Sequence, residues 1–322
     1  MGEDRHGRTA VPAIGIELSA VIVAVIDDTP LVLTVAAGGE SRALPLGALD
    51  PQAHPTLERG LRGWVSELTG LKLGYVEQLY TFGDRGRDPA TETPDRRLLS
   101  ISYLALTRAA ALTALGDAAW SDWYAFFPWE DWRAGRPNML KSEIVPVLDR
   151  WVADGADLLQ RDTRRDRVTM AFGAGRLSWS PERALDRYEL LYEAGAVAES
   201  RRAGGPEGDR PNFGAPMARD HRRVLATGIS RLRGKLTYRP VVFELMQDRF
   251  TLLQLQRTVE TLAGIRLHKQ NFRRLVERGG LVEPTGARET RTGGRPAEHY
   301  RFRTQVLSER PAPGVGLPER KT

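Results

Sequence analysis

The stretch that most restricts the fold lies near the C-terminus, where two amphipathic helices run straight into a basic hairpin. "FTLLQLQRTVETLAG" opens with Thr251 and Gln254 three apart, the spacing of a capping box. Leu252, Leu255, Val259 and Leu262 recur at helical intervals, and Gly264 can end the helix in the left-handed region. After "IRLHK" comes a second helix, "KQNFRRLVERGG", stopped by Gly279 and Gly280. Two helices joined by a short turn, the second one basic, make a helix-turn-helix. "LVEPTGARETRTGGRPAEHYRFR" then reads as strand, long basic loop, strand, which is a wing. Upstream, "ARDHRRVLATGISRLRGKL" is a further helix, and "RPVVFELM" is short, apolar and strand-like.

Phe272, Leu275 and Val276 are spaced i, i+3, i+4 and are expected to face the core. Gln270 and Arg274 then point outward, flanked by Lys269, Asn271 and Arg273. Arg can pair with guanine, Asn or Gln with adenine, and any of these side chains can bind phosphate. Glu277 shares the outward face and repels phosphate, so the amino-terminal half of the helix is the expected reader. His268 is a weak cap for it. In the wing, Arg291 and Arg295 flank two glycines that allow backbone to approach a phosphate or a narrow groove. The alternative is a module for protein contacts with a solvated charged face. Basic helix and basic wing occurring together favour DNA.

Charge distribution agrees. Residues 217–304 hold about 19 Lys+Arg against about 8 Asp+Glu, whereas the chain's net charge is +6, so the remainder is mildly acidic. An arginine-rich proteome would leave a similar mark. Cysteine is absent, which excludes disulfides, thiol catalysis and thiolate zinc. The five His are scattered without metal-ligand spacing. No signal-peptide pattern and no long apolar run are present, so no membrane partner and a cytoplasmic location are expected.

The rest of the chain reads as an α+β domain. "SAVIVAVID" is a buried strand, and "PLVLTVA" pairs with it as a hairpin around Asp27 and Asp28. Residues 57–69 form a helix with Leu57, Leu61, Trp64, Val65 and Leu68 on one face. "LGYVEQLYTFG" and "RLLSISYLALT" are two more strands. Residues 108–180 carry Trp120, Trp123, Trp129, Trp132 and Trp151, expected to form the small core of an insertion. "PERALDRYELLYEAGAVAESRR", 181–202, reads as one helix. Gly and Pro concentrate at 204–216, the expected linker. The expected organisation is a flexible 1–17, a ligand-sensing domain 18–203, the linker, a winged-helix domain 217–304 and a flexible tail 305–322.

"LPLG" at 44–47, with a helix closing on "SELTGL" at 66–71, resembles the Nudix box. That box carries an Arg-Glu pair and a Glu-Glu pair on its helix. Counted back from Gly70 and Leu71, the first pair falls on Gly63 and Trp64 and the second on Glu67 and Leu68. Gly47 sits two residues too far upstream. Nudix hydrolases hold Mg²⁺ with clustered glutamates, and the metal activates water. A lone Glu67 cannot do so tightly unless acids elsewhere, such as Asp50 or Asp84, substitute.

Together with "RLRGKLTYRPVVFELM", "FTLLQLQ", "KQNFRRLVERGGLVEPTG" and "GRPAEHYRF", the chain resembles the Nudix-related transcriptional regulators of NAD metabolism, the NrtR-like family. The tryptophan-rich segment is similar to that of the longer proteobacterial form. The resemblance implies a Nudix-like α/β/α sandwich with an insertion, followed by a winged helix. It implies a dimeric repressor of NAD synthesis or salvage genes, binding palindromic operator DNA and responding to ADP-ribose or a related nucleotide. No cofactor or metal is implied. Arg42, Gly47, Glu67, Arg87 and Tyr103 lie on segments that line the cleft in Nudix folds, and are the expected ligand contacts. Two other classes stay open: an atypical Nudix hydrolase of ADP-ribose-like substrates, and a protein-interaction adaptor.

Overall fold

The computed structural model describes residues 13–38, 41–84, 96–108, 118–173, 177–202, 204, 211–289 and 296–315. Its strands are β1 (Ala13–Ile26), β2 (Thr29–Ala36), β3 (Arg42–Ala43), β4 (Leu46–Ala48), β5 (Val76–Phe82), β6 (Arg96–Leu106), β7 (Ala119–Asp122), β8 (Phe250–Thr251), β9 (Val282–Glu289) and β10 (Ala297–Phe302). Its α-helices are α1 (Leu57–Thr69), α2 (Trp123–Phe126), α3 (Val145–Ala153), α4 (Leu158–Phe172), α5 (Ala184–Glu193), α6 (Ala198–Arg202), α7 (His221–Tyr238), α8 (Leu252–Ala263), α9 (Lys269–Arg278) and α10 (Val306–Glu309).

The first seven strands form one mixed sheet, ordered β3-β2-β1-β6-β5, with β4 added beside β1 and β7 beside β2. β1 and β2 pair antiparallel around a tight turn in which Asp27 (φ 47°) and Asp28 (φ 57°) are both left-handed. Aspartate tolerates that region, and this turn geometry matches the twist of paired strands. β1 runs parallel to β6 from Ala13↔Arg96 to Val23↔Leu106, so its alternate side chains enter two different layers. Leu18, Ala20 and Ile22 meet Leu61 and Val65 of α1 on one face. Val21 and Val23 meet Ile229 and Leu232 of α7 on the other. The result is the α/β/α sandwich.

α1 follows from local signals. The Thr56 side chain accepts from the Arg59 N–H at its start, and Gly70 (φ 71°) ends it in a left-handed cap. The helix-turn-helix is equally local: both bonds of the Thr251–Gln254 capping box are present, and Gly264 (φ 71°) closes α8. β8, β10 and β9 form the three-stranded wing sheet.

Several expectations change. The tryptophan-rich segment has no separate small core. β7 extends the main sheet by pairing with β2, and Trp123, Trp129, Trp132, Trp151 and Trp179 enter the same core as α7 and α8. The single helix expected over 181–202 is broken at Gly195 (φ 70°) into α5 and α6, with a 3-10 turn at Pro181–Arg183. α7 packs on β1, β5 and β6 as well as on α8, and so supplies the second helical layer of the sandwich. Residues 241–245 form a 3-10 helix, not a strand. Within the expected linker, Phe213 is buried, and its N–H donates to the Ala196 carbonyl (2.9 Å). Residues 13–17, expected to be loose, are the start of β1. In the expected tail, Val306 and Val315 are buried, and the Val315 N–H donates to the Leu236 carbonyl (2.8 Å).

Candidate nucleic-acid interface and Nudix-like cleft

α9 is anchored by two buried side chains, Phe272 and Val276. Lys269, Gln270, Asn271, Arg273, Arg274 and Glu277 are all exposed, as the spacing predicts. Leu275 is not in the core: it is 39% exposed. A ten-residue helix packed on α8 needs only an i, i+4 pair to seat it, and Leu275 falls on the flank. Arg274 Nη2 lies 3.3 Å from Asn271 Oδ1, so the two outward side chains hold one another in place. Arg291 and Arg295, expected at the wing tip, lie outside the described residues.

The turn between α8 and α9 is docked on the tryptophan-rich segment. The Trp132 N–H donates to the Gly264 carbonyl (2.7 Å), and Tyr124 Oη donates to the Thr261 carbonyl (2.8 Å). A Cβ at Gly264 would lie 2.3 Å from the Glu130 carbonyl oxygen, so glycine is required both for φ and for this approach. Behind it sits a wholly buried ionic group. Glu130 accepts from Arg187 Nε (2.6 Å), Arg187 Nη2 (2.9 Å) and Arg233 Nη1 (2.5 Å). Burial pushes the Glu130 carboxyl up, but the Arg187 and Arg233 guanidiniums outweigh it and hold the group below the usual carboxylate range. The Arg187 guanidinium also lies 3.7 Å from the Trp179 ring centroid.

In the layer of α1, Trp64 packs on Gly47. A Cβ at Gly47 would lie 1.6 Å from Trp64 Nε1, so the indole rests directly on the glycine backbone. Trp64 Nε1 is buried without a hydrogen-bond partner among the described residues. Tyr103 is buried in the same layer, and burial and then Glu58 raise its hydroxyl above the ordinary range. Glu67 is exposed. Arg42 is elsewhere: its guanidinium donates to Thr34 Oγ1 (2.9 Å) and to the Thr34 carbonyl (2.8 Å). Thr34 shares the face of Val32, in the α7 layer, so Arg42 and the Gly47–Tyr103 group lie on opposite sides of the sheet. Arg87 lies outside the described residues.

The described residues around α1 do not fit a catalytic Mg²⁺. Leu68 stands where the box has a glutamate, and Glu58 is paired with Arg62 (2.9 Å). The Asp50 carboxylate accepts from the Gln52 and Ala53 N–H groups, which lower its pKa, and Asp84 pairs with Arg223 (2.7 Å). Among the described residues no three acidic or His side chains come together as a metal site.

Sequence reasoning missed Arg62, whose guanidinium donates to the Leu73 (2.6 Å) and Gly74 (3.1 Å) carbonyls, and the Glu130–Arg187–Arg233 group. Arg62 could have been found from its place one turn after Glu58. The buried group left no local signal. No helix among the described residues is long and apolar enough to cross a membrane.

Residues 242–302 match the family model described as the NrtR DNA-binding winged helix domain. The ADPR responsive transcriptional repressor NtrR of Acinetobacter baylyi is 38% identical over 89 residues, covering 28% of this chain and 35% of that protein. The chain thus aligns with about a third of the length of this curated relative. NrtR of Shewanella oneidensis complexed with a 27mer DNA is similar over 91% of this chain and 95% of its own, with a TM-score of 0.54 and 21% identity. A MutT/nudix family protein of Enterococcus faecalis is similar over 94% of this chain and 89% of its own, with a TM-score of 0.51 and 15% identity. At those identities the two structures speak to fold alone. Residues 242–302 thus match the NrtR winged-helix domain, and the chain as a whole shares its fold with those two structures.

Proposed function

We propose that this protein is a DNA-binding transcriptional repressor of NAD synthesis or salvage genes, controlled by an NAD-derived nucleotide such as ADP-ribose. The observation that carries the reading is the outer face of α9. Lys269, Gln270, Asn271, Arg273 and Arg274 are exposed together on a helix held from beneath by Phe272 and Val276. That inventory suits base edges and phosphates alike. The Shewanella NrtR was crystallised with DNA, and the Acinetobacter relative is named as ADPR-responsive, which supports both halves of the proposal. Arg291 and Arg295 would add wing contacts, and a homodimer would present two α9 helices to a palindromic site.

The region of Gly47, Trp64 and Tyr103 is the proposed effector site, with Glu67 exposed on the same helix as Trp64. It senses and does not hydrolyse, because Trp64 and Leu68 replace the carboxylates that would hold the metal. Fluorescence anisotropy tests this with labelled DNA from upstream of the protein's own operon and of neighbouring NAD genes, against a scrambled duplex. Specific binding altered by ADP-ribose or NAD⁺ is expected. No specific binding would overturn the regulator reading, and cleavage of ADP-ribose by the purified protein would overturn the non-catalytic one.

A further inference from the structure

We propose that the cleft between the Nudix-like sandwich and the wing is a second ligand site, for a phosphorylated polyol such as a sugar phosphate or a nucleotide. The cleft encloses about 1130 Å³. One wall is the loop after α1 and the end of β6, from the sandwich. The others are the C-terminal end of α7, the 241–245 turn and β10 of the wing. Gly47, Trp64 and Tyr103 do not line it, so it is distinct from the proposed effector site. Its volume is that of a small-molecule pocket.

The chemistry of the walls is selective. Five cationic side chains line the cleft against two carboxylates. Three of those cations have acidic partners: Lys235 with Glu77 (2.5 Å), Arg301 with Glu283 (2.7 Å) and Arg108 with Asp248 (2.6 Å). Lys72 and Arg239 have no side-chain hydrogen bond or ion pair among the described residues. An anion is what such a pair would accept, and phosphate offers the most acceptor oxygens. Glu244 and Gln247 also line the cleft without side-chain partners among the described residues. A carboxylate and an amide there suit hydroxyl donors. Unpaired cations together with a carboxylate and an amide in one cleft describe a phosphorylated polyol. The loop that carries Lys72 is pre-set, because Arg62 of α1 clamps the Leu73 and Gly74 carbonyls. A ligand seated here touches both modules at once. Its binding does not depend on the regulator reading.

The test is calorimetric titration of ribose 5-phosphate into the full chain, with AMP as a second arm. Saturable one-to-one binding is expected. The double variant Lys72→Gln/Arg239→Gln should weaken it by roughly tenfold or more, as the loss of two charge-assisted contacts requires. Both side chains are exposed, so the fold should survive, and circular dichroism checks that. AMP binding more tightly than ribose 5-phosphate would point to a nucleotide, and equal binding to the sugar phosphate alone. No saturable heat at millimolar probe, or an unchanged affinity in the double variant, would overturn the proposal.

Discussion

Replacing Glu130 with alanine should be among the most damaging single changes available to this chain. Its carboxylate is wholly buried between two guanidiniums that are themselves wholly buried. Glu130→Ala removes three charge-assisted hydrogen bonds and leaves both cations in the core. Arg187 keeps the carbonyls of Ala171 (2.8 Å), Ser180 (3.0 Å) and Pro181 (3.4 Å), and Arg233 those of Leu262 (2.9 Å) and Pro181 (3.1 Å) with longer bonds to Tyr124 Oη and the Glu130 carbonyl. Carbonyl dipoles offset part of the charge but do not neutralise it. Removing one partner of such a group costs about 3–5 kcal/mol. Urea unfolding followed by tryptophan fluorescence reads this directly, because Trp179 stacks on Arg187. At a urea slope of about 3 kcal/mol/M the midpoint should fall by about 1–2 M. Glu130→Gln keeps one acceptor and should fall between wild type and alanine. The group's pH signature follows from its lowered pKa. A carboxylate with a folded-state pKa below its unfolded value contributes stability above the unfolded pKa, and that contribution is lost as pH falls through the folded one. The gap between wild type and Glu130→Ala should therefore be full at neutral pH and narrow in acid, below the ordinary glutamate range. A midpoint unchanged by Glu130→Ala at pH 7 would refute the claim that this group ties the segments together.

On α9, Asn271→Ala and Arg274→Ala should each cost about 1–3 kcal/mol in operator affinity if they contact base edges. Anisotropy titration checks this, and equal binding by both variants and wild type would misplace the DNA surface. In the Nudix-like cleft, Gly47→Ala should destabilise by about 1–3 kcal/mol, because the new methyl occupies the position of the Trp64 indole. Gly47→Ala/Trp64→Ala should recover part of that loss in urea unfolding, and strict additivity of the two changes would rule out the contact.

What could be read from the sequence was whatever a few neighbouring residues decide. Helix α1 ends where Thr56 and Gly70 say it should, and α8 where Thr251, Gln254 and Gly264 say. The replacement of box carboxylates by Trp64 and Leu68 was equally visible, because the box has a fixed spacing. The break between α5 and α6 was announced by Gly195, but apolar Ala196 and Val197 continue the stripe past it and mask the signal. Leu275 misled for a related reason: helical spacing gives a face, and the breadth of the buried stripe depends on how much partner surface there is. Arg42 shows the limit for ligand residues. The resemblance put it on a cleft-lining segment, but the face its guanidinium took was set by Thr34, on a neighbouring strand. The Glu130 group was beyond reach, since its partners lie 57 and 103 residues away and carry no periodicity.

The tryptophan-rich segment is where that limit matters most, because it joins the two modules. At the β1–β2 turn the Asp28 carbonyl accepts from Thr261 Oγ1 of α8 (3.1 Å) and from Arg133 Nη1 (2.5 Å). Arg266, in the turn after α8, donates back to the Arg133 carbonyl (3.2 Å). Tyr124, Trp132 and Glu130 complete the contact from the same segment, and Arg233 of α7 reaches the Leu262 carbonyl. The helix that supports α9 is thus fastened to the sheet's own hairpin and to a rigid aromatic core, and not merely tethered through residues 204–216. For the proposed regulator this has a mechanical consequence. An effector near Trp64 lies under β1, and β1 leads directly to the Asp28 turn, so a displacement of that strand has a hydrogen-bonded route to α8. A route through packed, hydrogen-bonded contacts is the kind of connection by which a shift at one site can reach another.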